Sequence, residues 1–160
     1  MKNSLSLLEP DPFDFWLEHL HHLLNHDPTS GLQVWTRAFD RALRSWDAER
    51  CHLLLAEAQR NEGARSPRGR ALALHRHGVW LTQQGRWSEA INRFEQSLSV
   101  FRQSGDTLGE TQALNELGNV YQAIGDWVQA AAYYQRALPL QRAEGDRHQE
   151  AITLNNLAAV

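Results

Sequence analysis

"LNELGNVYQAIGDWVQAAAYYQRAL", Leu114 to Leu138, holds two helical patterns that meet at Gly125-Asp126. Gly accepts the left-handed conformation that ends a helix, and Asp offers a side-chain oxygen to the free N–H groups that begin the next. The same order stands 40 residues earlier. Leu74, Leu114 and Leu154 are evenly spaced, as are Gly78, Gly118 and Ala158. Gly85 pairs with Gly125, Trp87 with Trp127, Ala90 with Ala130, Phe94 with Tyr134 and Leu98 with Leu138. Between 67–106 and 107–146, 11 of 40 positions are identical. Chance would give roughly two or three, so the chain contains a true internal repeat.

Each unit is a pair of helices. Asp106 caps the first helix of the second unit and Gly145 ends its second. Gly78 and Gly118 lie inside helices, where Gly costs about 1 kcal/mol relative to Ala. Close approach to Ala90 and Ala130 of the partner helix is the expected return. Trp87 and Trp127 are expected to fill the end of each hairpin. Pro139 falls inside a helix, where a kink is expected.

Outward from the repeat, strand signals are nearly absent and helical spacing dominates. Asp11-Pro12 offers a cap and a first-turn Pro, followed by Phe13, Trp16, Leu17, Leu20 and Leu24 on one face. A second Asp-Pro at 27–28 opens a helix striped by Leu32, Trp35, Phe39, Ala42 and Leu43. Ser45 is the expected cap of a third, with Cys51, Leu54, Leu55 and Ala58 inside. The organisation is therefore 1–63 as N-terminal helices, 64–106 as unit one, 107–146 as unit two, and 147–160 as the first helix of an incomplete unit three. Residues 29–62 read equally as a diverged repeat or as a capping hairpin, because Leu32, Trp35, Phe39 and Ala48 sit at suitable offsets but no Gly does.

The motif Leu-x2-Leu-Gly-x2-Tyr, then Gly, then Trp-x2-Ala-x3-Tyr, resembles the tetratricopeptide repeat, and the resemblance covers 66–160. The 40-residue period is longer than the common one and is similar to the extended arrays of kinesin light chains, spindle-orientation adaptors and bacterial signalling proteins. His77 and Leu81 depart from the usual Leu and Tyr of unit one, and the family's Pro between units is missing from its place. The resemblance implies an all-α solenoid of antiparallel helix pairs, a right-handed superhelix without a sheet. It further implies a concave groove lined by the first helix of each unit. The groove positions are then Leu72, His75, Val79, Thr82 and Gln83; Gln112, Asn115, Asn119, Gln122 and Ala123; and Ile152, Asn155 and Ala159. Residues 112, 115, 119 and 122 do share one helical face. An Asn amide both donates and accepts, so it suits an extended peptide backbone of any sequence. The same amides would serve equally as a plain solvated helix surface. None of these positions is Lys or Arg, which argues against a clamp for a terminal carboxylate.

Other chemistry is sparse. The net charge of −3 is too weak to argue for nucleic acid or an acidic membrane. Arg65, Arg68 and Arg70 are candidate contacts for an acidic partner, against a solvated loop as the plainer reading. His19, His22 and His26 share a helical face, yet no further ligand completes a metal site. There is no phosphate loop, dinucleotide fingerprint or nucleophile elbow, so no enzyme and no cofactor are expected. Cys51 lies on an apolar stripe and reads as core. One Cys, no signal peptide and no membrane-length apolar run make a cytoplasmic protein the expectation.

Those features point to a non-enzymatic module that binds a protein or peptide in its groove. The alternative is a structural or self-assembling segment of a longer array, including the sensor region of a signalling protein. "ITLNNLAAV", 152–160, favours the alternative, because Leu154, Asn155 and Leu157 align on Leu114, Asn115 and Leu117. It reads as a first helix without its partner, so the expectation is a fragment of a longer protein or self-association through this helix.

Overall fold

The computed structural model describes residues 12–61 and 63–160, and all regular structure among them is helical. The order is α1 (Pro12–His26), α2 (Pro28–Arg44), α3 (Ala48–Arg60), a 3-10 turn (Gly63–Arg65), α4 (Pro67–Gln83), α5 (Trp87–Ser104), α6 (Thr107–Ala123), α7 (Trp127–Glu144) and α8 (Arg147–Ala158). The chain divides into two compact units, Met1–Arg65 and Ser66–Val160. The cap proposed at Asp11 lies outside the described residues.

In the first unit α2 packs against both α1 and α3. Trp35, Phe39, Leu20, Leu24 and Leu54 are fully buried there. The Trp35 indole N–H donates to the Leu54 carbonyl at 2.8 Å, which removes the penalty of burying it. Asp47, not Ser45, caps α3, accepting from the Arg50 N–H at 3.0 Å. Ser45 instead closes α2, its hydroxyl within reach of the Arg41 and Ala42 carbonyls. A hydroxyl that satisfies the orphan carbonyls of the helix behind it cannot also cap the one ahead.

The second unit is built from hairpins α4–α5 and α6–α7, with α6 packed on α5 and α8 on α7. Asp106, Asp126 and Asp146 each cap a helix through the N–H three residues on. The interior glycines do not face Ala90 and Ala130. A Cβ on Gly78 would lie 2.7 Å from the Phe94 ring, and one on Gly118 would strike the Tyr134 ring. The alanines are buried one turn nearer the hairpin end. Each ring occupies the space a Cβ would take, so only Gly fits the helix at that point.

Nor do both tryptophans fill their hairpin ends, since Trp127 is 49% exposed. α7 runs on through Pro139, which lies on the exposed side.

The three hairpin turns share one backbone pattern. Ile124, Gly125 and Asp126 donate to the carbonyls of Val120, Gln122 and Tyr121. Gln84, Gly85 and Arg86 donate equivalently to Trp80, Thr82 and Leu81, and Ser45, Trp46 and Asp47 to Arg41, Leu43 and Ala42. Gly85 and Gly125 carry φ of 70° and 82°, and Trp46 holds the same left-handed slot at φ 56°. At the turn of 29–62, where the other hairpins have Gly, a Trp holds a conformation that L residues rarely adopt.

Candidate functional site

The first helices α4, α6 and α8 carry the residues assigned to the groove by sequence, except Ala159, which caps the end of α8. Their exposure divides those residues into three classes. Gln112, Asn119, Ile152 and Asn155 are exposed, while Leu72, Val79, Asn115 and Gln122 are half-buried. Leu72 and Val79 pack against the hydrophobic core.

His75 is a correction, because only 4% of it is exposed and its ring lies edge-on to Phe94 and near Phe101. Burial drives its imidazole down to about 3, with the adjacent Arg76 charge acting in the same direction and the backbone at Gln112 opposing them. A neutral, buried ring touches no groove ligand. Phe94 and Phe101 of α5, in the same unit, cover this part of the helix face.

Asn115 and Asn119 are bound into the repeat junction. The Thr153 hydroxyl donates to Asn115 Oδ1 at 3.1 Å and accepts from the buried Gln141 Nε2 at 2.8 Å. Asn119 Oδ1 accepts from Asn156 Nδ2 at 3.3 Å, and its Nδ2 donates to Glu116 at 3.3 Å. The Tyr134 hydroxyl, threaded past Gly118, lies 2.8 Å from Asn119 Oδ1 and 2.9 Å from Gln122 Oε1. Burial, and then the nearby Glu116 carboxylate, push the Tyr134 phenol up to about 12, so it remains a donor. Burial also raises the Glu116 carboxyl. The amides of α6 are thus oriented from below by α7 and from the side by α8.

Periodicity along single helices did not reveal two further features. Arg102 Nε meets Glu110 at 2.6 Å, and Arg142 Nε meets Glu150 at 2.6 Å. These pairs recur at the repeat spacing, and a comparison of charges between units would have found them. His21 Nδ1 lies 2.7 Å from Glu57 Oε1, joining α1 to α3.

The remaining candidates are placed simply. Arg65 belongs to the first unit and donates to the Gln59 carbonyl at 3.3 Å. Arg68 Nε lies 3.9 Å from Asp106 in the second unit, and Arg70 is exposed. His19, His22 and His26 are exposed, the last two with ring centroids 4.1 Å apart. Among the described residues no group of three His, Cys, Asp or Glu side chains could hold a metal ion. Among the same residues no helix is long and apolar enough to cross a membrane. Cys51 is buried, and burial, with the Asp47 charge, pushes its thiol up to about 11. A thiol that high is protonated at neutral pH and a poor nucleophile.

The model of the tetratricopeptide repeat family matches residues 69–143 and 109–160, more than half of the chain between them. The chain belongs to the tetratricopeptide repeat family. No curated protein matches it. As in other tetratricopeptide repeats, one helix pair cannot bury its own apolar face, and stacked neighbours do it for each other. The architecture is typical of non-catalytic scaffolds for protein interaction.

Proposed function

We propose that this tetratricopeptide repeat module binds an extended segment of a partner protein across the first helices α4, α6 and α8. The supporting observation is the set of exposed amides Gln112, Asn119 and Asn155, carried by successive first helices with no charged residue at the assigned positions. The Asn115–Thr153 and Asn119–Asn156 bonds hold α6 and α8 in register. A surface ordered in advance loses less freedom on binding. The 40-residue period supports grouping the chain with extended arrays such as those of kinesin light chains. The shared turn pattern supports reading α2–α3 as a diverged repeat.

The test is a peptide selected from a random library on the full chain, then titrated against Gln112→Ala with Asn155→Ala. Neither side chain lies in the junction network, so the fold should be retained. Loss of about tenfold in affinity is expected from two hydrogen bonds. Unchanged affinity would remove the groove assignment.

A second reading, self-association through α8, draws on the 39% and 41% exposure of Ile152 and Leu154. Light scattering of the full chain tests it: a mass independent of concentration and equal to one chain would exclude it.

A further inference from the structure

The first unit holds a cavity of about 580 Å³ among α1, α2 and α3, and nothing in the binding reading uses it. Its floor is apolar, formed by Phe13, Trp16, Val34 and Leu54. Phe13 and Trp16 stack with centroids 5.3 Å apart and planes 14° from parallel. Around this floor stand Arg37 and Arg41, one turn apart on α2, and Arg50 from α3.

Arg50 is fixed twice, by Asp47 at 3.3 Å and by stacking over Phe13 at 4.9 Å. Neither Arg37 nor Arg41 is in an ion pair with a described residue. Three guanidiniums and one partnered carboxylate leave the cavity with excess positive charge. The spacing explains the face: 34, 37, 38 and 41 share one side of α2, while Trp35 and Phe39 point the other way into the core.

Size, an apolar floor and a few convergent polar groups are the marks of a small-ligand site. Guanidinium forks match carboxylate and phosphate oxygens in pairs, and they are less strongly hydrated than ammonium groups. We infer that this cavity binds a small organic anion, with its apolar body on Phe13 and Trp16 and its charged head between Arg37 and Arg41. The site is separate from the first-helix amides of the second unit and stands or falls independently of them.

The test uses the full chain and 2-naphthoate as the probe, titrated calorimetrically at low salt beside the neutral 2-naphthylmethanol of similar shape. The carboxylate should bind at least about tenfold more tightly than the alcohol, and added salt should narrow the gap. Arg37→Gln with Arg41→Gln should bring carboxylate affinity down to that of the alcohol, with helicity unchanged by circular dichroism. Arg93→Gln with Arg136→Gln removes the same charge from the second unit and should leave the preference intact. No binding of either probe, equal binding of both, or equal loss in the two double variants would overturn the proposal. The comparison of probes on the unaltered chain decides the matter even where a variant folds poorly.

Discussion

The Thr153 hydroxyl bridges Gln141 Nε2 at 2.8 Å and Asn115 Oδ1 at 3.1 Å, joining α7, α8 and α6 through one buried oxygen. Forty residues earlier the same three positions hold Phe101, Ala113 and His75. There an aromatic ring fills the space, with Ala113 fully buried and His75 near the Phe101 ring. One junction is closed by apolar packing and the next by a polar relay. The two are alternatives for the same volume.

Thr153→Val should therefore destabilise the second unit by about 1–3 kcal/mol, because it leaves the Gln141 amide buried without its acceptor. Replacing the pair together, Gln141→Phe with Thr153→Ala, copies the first junction and should recover much of that loss. Urea unfolding of the three chains measures both steps. Equal stability of Thr153→Val and the parent would mean the relay contributes nothing.

Gly118→Ala sets helix propensity against packing. Propensity alone would stabilise α6 by about 1 kcal/mol. The new Cβ would strike the Tyr134 ring, and overpacking a dense core costs about 1–3 kcal/mol. Net destabilisation is expected, with partial rescue in Gly118→Ala/Tyr134→Leu, where the smaller side chain makes room. A stabilising Gly118→Ala in thermal unfolding would refute the close approach.

His75 makes stability depend on pH in a definite direction. Its folded value of about 3 lies below the ordinary 6.5, so the unfolded chain binds the proton first as pH falls. The contribution of the neutral buried ring is fully present above pH 6.5 and is lost progressively as pH drops toward 3. Within that window the slope from this group is about 1.4 kcal/mol per pH unit. Urea midpoints between pH 7 and 5 should fall more steeply for the parent than for His75→Leu. Parallel curves would show that His75 is not the titrating group.

The period was legible because it is written in residues with few substitutes: Gly at the turns, Asp at the caps, Leu and Trp at fixed spacing. What one helix meets on its neighbour was less so. Small-on-small pairing places Gly118 against Ala130, one turn from the Tyr134 it meets, because it overlooks the reach of a ring. His75 falls among the groove positions because the family resemblance aligns it with Asn115, 40 residues on. The rings of Phe94 and Phe101 on α5 cover it, a contact that no single helix encodes. Ser45 and Asp47 both carry capping oxygens, and the choice between them depended on where α2 ended. Arg37, Arg41 and Arg50 form no motif in sequence, since two helices bring them together.

The central claim is that the first-helix face receives the partner. It is tested most directly by NMR of the labelled full chain with the library-selected peptide. The side-chain amides of Gln112, Asn119 and Asn155 should shift on binding, while those of Gln96 and Gln135 on the second helices remain still. Shifts confined to the second helices, with the three first-helix amides unmoved, would contradict it.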